Sequence, residues 1–205
     1  AYDIGSGLVG SEMCIRDRDS ASSENENFRE FTDAIFRDNV SGDILSLHTI
    51  LQHPENYGIT NYEKTLGRYN LDNPTDSSDI SDCLTKLNSF DKNSLSKDQQ
   101  ITYELLKKYL ETKLEYCDLF LLDTDLSTTI GIQVQLPIIF AEYTFNEVKD
   151  IDEYLCAVED TDEFFENLIE YEKMRSEKGY FMETSLAEEI IEQCNTFIDL
   201  SLIHI

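Results

Sequence analysis

Residues 96–117 read SKDQQITYELLKKYLETKLEYC, and the spacing of their apolar side chains decides the fold class. Ser96 and Gln99 have the capping-box spacing, in which a hydroxyl and a side-chain amide each satisfy a free backbone N–H at a helix start. Behind this box an apolar face recurs at helical intervals. Its members are Ile101, Leu105, Tyr109, Leu110, Leu114 and Cys117. The stretch therefore predicts a long amphipathic helix.

Other stretches carry the same helical spacing, so we expect a mainly α fold. The second predicted helix begins after Asp43, whose side chain is suited to capping it. Turn-forming residues dominate 55–78, which predicts an irregular connection. The predicted helices besides 96–117 are 26–39, 44–51, 80–87, 150–158, 161–178 and 185–198.

Residues 130–136 break the helical rhythm. Apolar residues alternate there with Gly131, Gln133 and Gln135, which is the period of a half-buried strand. Pro137 would end this strand, although proline is also a good first residue for a helix over 138–143. The predicted fold is thus mainly α, with at most one or two short strands.

The formal net charge of −26 excludes several classes of partner. An acidic surface repels phosphate backbones and anionic lipid headgroups, so we expect no nucleic-acid partner. No apolar run approaches the roughly 18 residues that a membrane span needs. Cys83, Cys117, Cys156 and Cys194 form no C-x-x-C pair, which favours buried free thiols over disulfides.

The residues alone assemble no catalytic, cofactor or metal site. His48 and His53 are five positions apart, whereas a helical zinc pair has its two histidines four apart. His48 is therefore expected to be a core or capping histidine. The run from Asp123 to Asp125 lacks the glycine and glutamate of a calcium loop, which predicts a helix-ending turn.

The two ends of the chain do not match the acidic, helical pattern of the residues between them. Residues 8–17 and 200–205 are also translations of a sequencing adapter, so we expect 1–18 and 200–205 to be adapter-derived. Residues 19–27, DSASSENEN, predict a polar linker. We expect residues 28–199 to be the helical part of an incomplete domain whose native start and finish are missing.

Several stretches, taken in order, resemble one family. They are NFREFTDAIFRDNVSGDILSLHTILQHPENYGI (27–59), LNSFDKNSLSKDQQITYELLKKYLE (87–111), TTIGIQVQLPIIFAEYTF (128–145), DIDEYL (150–155) and EKGYFM (177–182). Together they resemble the N-terminal part of the bacterial domain of unknown function 885 family. The resemblance covers nearly all of residues 28–199.

That resemblance implies a zincin-like, mostly helical fold in an exported or lipid-anchored zinc-metallopeptidase-like protein. The family's His-Glu-x-x-Pro-Gly-His motif lies in its C-terminal half, so zinc is expected in the full-length parent and no cofactor in this chain. Its partners would be the missing C-terminal half and a peptide substrate. The alternative is a non-catalytic helical protein-interaction module.

Gln133, Gln135, Glu142 and Tyr143 are the candidate residues for a substrate cleft, because they are polar groups around an aromatic-rich turn. The alternative is that they satisfy backbone groups and pack. On its own the chain is expected to lack peptidase activity and to be poorly soluble. The reason is that its helices should expose apolar stripes meant for the missing half.

Overall fold

The computed structural model describes residues 21–203, and its regular structure is helical. No strand occurs within these residues, and none of their helices is long and apolar enough to span a bilayer. The predicted mainly α class is confirmed. The helices are α1 (Ala21–Val40), α2 (Ile44–Ile50), α3 (Ser78–Asn88), α4 (Lys97–Tyr116), α5 (Ile132–Ala141), α6 (Lys149–Glu159), α7 (Thr161–Glu177) and α8 (Thr184–Ile203). Short 3₁₀ helices lie at Pro54–Tyr57, Lys92–Ser94 and Cys117–Leu122.

Two helix starts follow their local sequence signals. The Asp43 side chain accepts a hydrogen bond of 2.7 Å from the Ser46 N–H at the start of α2. Before α4, Ser96 Oγ accepts from the Gln99 N–H at 3.3 Å, and Gln99 Oε1 accepts from the Ser96 N–H at 3.4 Å. Both predicted caps are confirmed, because each satisfies backbone donors that a helix start leaves free.

The polar residues predicted as a linker over 19–27 are helical from Ala21 onward, which corrects that expectation. Their side chains hold the segment that precedes α4. Glu24 Oε1 accepts from the Asp91 N–H at 3.1 Å, and Asn25 Oδ1 accepts from the Ser96 N–H at 2.8 Å. Residues 1–20 and 204–205 lie outside the described part of the chain, and 200–203 end α8.

The strand predicted over 130–136 is wrong, because these residues enter α5. Gly131 is the N-cap of this helix, and Pro137 lies inside it. The buried side chains are Gln133 and Leu136, three positions apart as on one helix face. Ile130, which the alternation would bury, is 73% exposed. The Gln133 side chain donates to the Ser127 carbonyl and to the Gln193 side chain, 60 positions away, and these contacts override the local two-residue pattern.

Helix α4 buries only part of the apolar face predicted for it, since Leu110 of that face is buried and Leu114 is half-buried. Tyr103 and Leu110 are buried and Leu106 packs against them, whereas three of the predicted core residues face solvent. Ile101 is 60%, Leu105 68% and Tyr109 50% exposed. We call Ile101, Leu105 and Tyr109 the α4 outer face. The helix therefore has apolar side chains on two sides, and only one of them is covered.

The chain divides into two compact units. Within the described residues, the first consists of 21–36 and 77–115, and its core is rich in aromatic rings. The Phe28 ring meets the Phe90 ring edge-on at 5.3 Å between centroids, and Tyr103 stacks on Phe28 at 6.4 Å. Such pairs add specific geometry to the burial of apolar area.

The second unit consists of 37–76 and 116–203 within the described residues. Helix α5 packs on α8, α2 on α6, α6 on α7, and α7 on the 3₁₀ helix Cys117–Leu122. Its core includes Ile44, Leu45, Leu136 and Ala157. The four cysteines in the described residues are free, as predicted, although they are half-buried rather than fully buried. Burial raises the pKa of Cys83 and Cys194.

Replacing Gly131 by alanine is expected to destabilise the second unit. An added Cβ would lie 2.5 Å from the Ser127 backbone oxygen and also against the Ser127 nitrogen and Gln133 Oε1. Relieving that overlap requires backbone movement, which costs about 1–3 kcal/mol in the free energy of unfolding. Urea titration followed by circular dichroism measures the change.

The control is Gly42→Ala, whose Cβ would meet only Asn39 O at an ordinary 3.6 Å. This variant should unfold close to the unchanged midpoint. Equal urea midpoints for both variants and the unchanged chain would show that the close approach at Gly131 is not required.

Candidate functional site

An open groove of about 840 Å³ lies in the second unit between α2, α5 and α7. Leu45 and Leu136 are buried at its base, whereas Ile50 and Ile130 at its edge are largely exposed. The full lining is Asp43, Leu45, Ser46, Thr49, Ile50, Leu66, Thr124, Asp125, Ser127, Ile130, Ile132, Gln135, Leu136, Ile139 and Phe164. Its size and mostly apolar lining are those of ligand-binding clefts.

Helix α2 forms one wall of the groove. Ile44 and Leu47 are fully buried in the core, so the residues between and beside them can face the groove. The Ile44 N–H donates to the Thr65 carbonyl at 2.9 Å, which ties the start of α2 to the irregular connection. Together with the Asp43 cap, this bond sets where α2 begins.

The segment that follows the 3₁₀ helix Cys117–Leu122 forms another wall, and α7 holds it in place. The hydroxyl of Tyr171 donates to the carbonyls of Phe120 and Asp123 at 2.5 and 2.8 Å. Arg175 Nε donates to the Leu121 carbonyl at 3.0 Å. These bonds tie the 3₁₀ helix and the residue that follows it to α7. Burial raises the pKa of Tyr171 to about 12, so its hydroxyl stays a donor at neutral pH.

The side chains of Thr124 and Asp125 in this wall form hydrogen bonds with residues outside it. Glu172 forms an ion pair with Arg175 at 2.7 Å and accepts from the Thr124 hydroxyl at 3.1 Å. Tyr69 donates to the Asp125 carboxylate and stacks flat on Tyr171 with 4.1 Å between ring centroids. Burial, and then the hydrogen bond to Asp125, raise the pKa of Tyr69 well above its usual range.

The four residues predicted for a cleft have different positions. Gln133 is buried, and its Nε2 donates to the Ser127 carbonyl and to Gln193 Oε1, both at 2.7 Å. Gln135 lines the groove and donates to the Ile130 carbonyl at 2.6 Å. Glu142 is exposed just after α5, and Tyr143 packs beside His48 at 5.5 Å between rings. Only Gln135 lines the groove, and a cleft role for all four stays a prediction.

A buried polar cluster joins α2 to α6. His48 Nε2 lies 2.5 Å from Glu153 Oε2, and both side chains are almost fully buried. The Tyr62 hydroxyl donates to the same carboxylate at 2.9 and 3.1 Å, and the Lys64 ammonium lies 3.6 Å from it. Burial, together with the Glu153 hydrogen bond, raises the pKa of Tyr62. We call His48, Tyr62, Lys64 and Glu153 the His48 cluster.

Zinc, which the family resemblance implies for the full-length parent, does not fit the His48 cluster together with the neighbouring Asp150. Atoms of His48, Asp150 and Glu153 lie within 4.8 Å of one another. However, Glu153 already hydrogen-bonds to His48 and Tyr62 and lies 3.6 Å from the Lys64 ammonium, and Asp150 Oδ2 accepts from the Asn146 and Glu147 N–H groups at 2.7 and 2.9 Å. Coordination would have to break these bonds and bring a cation beside an ammonium group.

A second group of His53, Glu55 and Glu147 is no better suited. The Lys149 ammonium lies 3.5 Å from Glu55 and 3.4 Å from Glu147, so it already supplies the positive charge between them. Nor does the sequence contain a His-Glu pair, since His48, His53 and His204 precede threonine, proline and isoleucine. No residue of the described chain is therefore assigned to zinc.

Sequence reasoning missed the groove and the partner of His48. His48 and Glu153 are 105 positions apart, and no local pattern connects them. A weak signal existed for the groove wall, because the Asp43 cap predicted where α2 starts. The Tyr69–Tyr171 stack had no signal in the sequence.

The comparisons with known proteins yield one match. The family model described as “Bacterial protein of unknown function (DUF885)” matches residues 57–202. No curated protein and no solved structure matches the chain. The matched range contains the groove's α5 and α7 walls, whereas α2 precedes it.

Replacing Glu153 by glutamine is expected to lower the free energy of unfolding by about 3 kcal/mol. The change removes the buried negative charge that accepts from the Tyr62 hydroxyl and lies beside His48 and the Lys64 ammonium, and breaking a buried pair costs of that order. Chemical denaturation measures it. Glu147→Gln, at a side chain that is 44% exposed, is the matched control and should shift the midpoint little. A Glu153→Gln chain as stable as the control would contradict a structural role for the cluster.

Adding zinc to the 205-residue chain is expected to produce no saturable binding at the His48 cluster and Asp150. Every candidate ligand there is already engaged by a hydrogen-bond donor or a lysine. Calorimetric titration of the unchanged chain and of His48→Ala should give the same weak, non-stoichiometric heats. Binding of one zinc per chain that disappears in His48→Ala would overturn this reading.

Proposed function

The chain belongs to the DUF885 family, and from this premise we propose that it is the N-terminal helical scaffold of an exported bacterial zinc-metallopeptidase-like protein. In this proposal the catalytic motif lies in another part of the protein. This chain supplies packing surfaces for that part and one wall of the substrate cleft. The metallopeptidase character comes from the family resemblance.

The observation that carries the scaffold role is the α4 outer face. Ile101, Leu105 and Tyr109 recur four positions apart and are each at least half exposed. Side chains four apart lie on one side of a helix, so they form a continuous apolar stripe. Contiguous apolar surface of this kind marks a place where another polypeptide packs. The opposite side of α4 already packs against the first unit's core.

The groove supports the second part of the proposal. Its lining combines aliphatic side chains with a smaller polar share, which is the composition of a site that binds part of a ligand. None of the residues that line it is paired as a nucleophile with a histidine base, so the groove is suited to binding rather than bond cleavage.

The same α4 outer face favours the second candidate, a non-catalytic helical module that binds a partner protein. The two candidates differ in what completes the protein. The scaffold proposal requires a reading frame that encodes a His-Glu-x-x-Pro-Gly-His segment together with this chain. The interaction module requires none.

The deciding experiment is to recover the uninterrupted source gene and to assay its product for peptidase activity with and without a chelator. Chelator-sensitive cleavage by the full-length protein, with none from this chain alone, supports the scaffold proposal. A full-length gene that lacks the motif, with an inactive product, would establish the interaction module instead.

The chain alone is expected to self-associate through the α4 outer face. Ile101→Gln with Leu105→Gln removes two apolar side chains that are 60% and 68% exposed, so it should lower the mean mass toward that of a monomer. Size-exclusion chromatography with light scattering measures the mass. Ile169→Gln, on another helix and 52% exposed, is the matched control. A monomeric unchanged chain, or equal effects of both substitutions, would show that this face does not drive association.

A further inference from the structure

We propose that the groove between α2, α5 and α7 binds a basic, apolar peptide segment, in which aliphatic side chains stand beside lysine or arginine. The inference rests on the proposed function, because it takes the groove as the peptide-facing wall of the chain. It adds the chemical class of what the groove binds, and the His48 cluster plays no part in it.

The aliphatic side chains of the groove indicate that the peptide is apolar. Leu45 and Leu136 are 6% and 2% exposed and form a solid base, so the groove is not a gap in a loose core. Ile50 and Ile130 at its edge are 55% and 73% exposed. Covering such aliphatic surface is favourable in proportion to the area removed from water. A segment with branched aliphatic side chains would provide that cover.

The charge of the groove lining indicates that the peptide is basic. Among the described residues that line the groove, Asp43 and Asp125 are acidic, and none is lysine, arginine or histidine. Asp43 accepts from the Ser46 N–H and Asp125 from the Tyr69 hydroxyl. Both donors are neutral, and neither carboxylate forms an ion pair with a cation of the described residues, so a full positive charge beside them is lacking. A cationic side chain of a ligand would supply that charge.

Several other occupants fit less well. A ligand with a carboxylate or phosphate would find no cation in the lining. A second copy of this chain has 42 acidic against 16 basic residues, so it offers few cations to the two groove carboxylates. A groove of about 840 Å³ that lies open between helices has room for several side chains of a polypeptide.

The test measures the affinity of the 205-residue chain for intact peptides by fluorescence anisotropy. Each peptide carries an uncharged dye. Four capped hexapeptides serve as probes. In the first, leucine and isoleucine alternate with lysine; in the second and third, glutamate or glutamine replaces each lysine. In the fourth, serine replaces each leucine and isoleucine, and the lysines stay. The lysine–aliphatic peptide should bind most tightly. The glutamate peptide should bind at least about tenfold more weakly, because like charges then meet at the groove edge.

The double substitution Asp43→Asn and Asp125→Asn tests the contribution of charge, because it removes both negative charges of the groove lining. Asparagine caps a helix as well as aspartate does and still accepts the Tyr69 hydrogen bond, so the fold should be retained. This variant should lose about tenfold in affinity for the lysine–aliphatic peptide and little for the glutamine peptide. An unchanged thermal melt confirms that the loss is not unfolding.

Ile130→Ser isolates the apolar surface. It should weaken both the lysine and the glutamine peptides severalfold, while Val148→Ser, at an 83% exposed residue outside the groove lining, should weaken neither. Equal affinity for the lysine and glutamate peptides, or no effect of the two asparagine substitutions, would overturn the inference. Binding of the serine–lysine peptide as tightly as the aliphatic one would do so as well.

Failure of this inference and failure of the proposed function are distinguishable. If the full-length protein cleaves peptides by a chelator-sensitive route but shows no preference for basic, apolar sequences, the inference fails and the scaffold proposal stands. If the isolated chain shows the predicted peptide preference but the full-length product has no peptidase activity, the scaffold proposal fails and the binding inference stands.

Discussion

The structure of the second unit depends on the buried ion pair of Glu172 and Arg175 in α7. Both side chains are more than nine-tenths buried, and their nitrogen and oxygen atoms are 2.7 Å apart. Each also satisfies a group of the neighbouring segment, because Arg175 donates to the Leu121 carbonyl and Glu172 accepts from the Thr124 hydroxyl. A short 3₁₀ helix leaves carbonyls without partners, and burying them unsatisfied would be costly. The pair therefore orders the segment that becomes one wall of the groove.

The acidic composition takes two different forms in the fold. Inside the protein, carboxylates are matched by donors: Glu153 by His48, Tyr62 and Lys64, as Glu172 is by Arg175. Such pairing is what allows charge to be buried at all. At the groove, the carboxylates have only neutral donors. Carboxylates that are paired with charged groups thus organise the core, whereas those with neutral donors lie at a surface suited to a cationic ligand.

Much of the helical order was predictable, because it depends on contacts close in sequence. The Asp43 cap and the Ser96 capping box use donors within three positions, and the structure contains both. The candidate site was predictable only in part. Gln135 reaches the groove, whereas Gln133 is drawn into the core by Ser127 and Gln193, one of them 60 positions away. Pairings across such distances leave no trace in local periodicity.

The sequence by itself determined that residues 97–116 are helical and that the chain is mainly α, since capping and apolar spacing act within one or two turns. Tertiary structure alone decided which side of α4 is buried. Both sides are apolar, and packing against Phe28 and Leu87 selects Tyr103 and Leu110 over Ile101 and Leu105. It also made α5 a helix where alternation predicted a strand. Local backbone preference is weak compared with burial and long-range hydrogen bonding, so the fold as a whole decides wherever a segment fits two patterns.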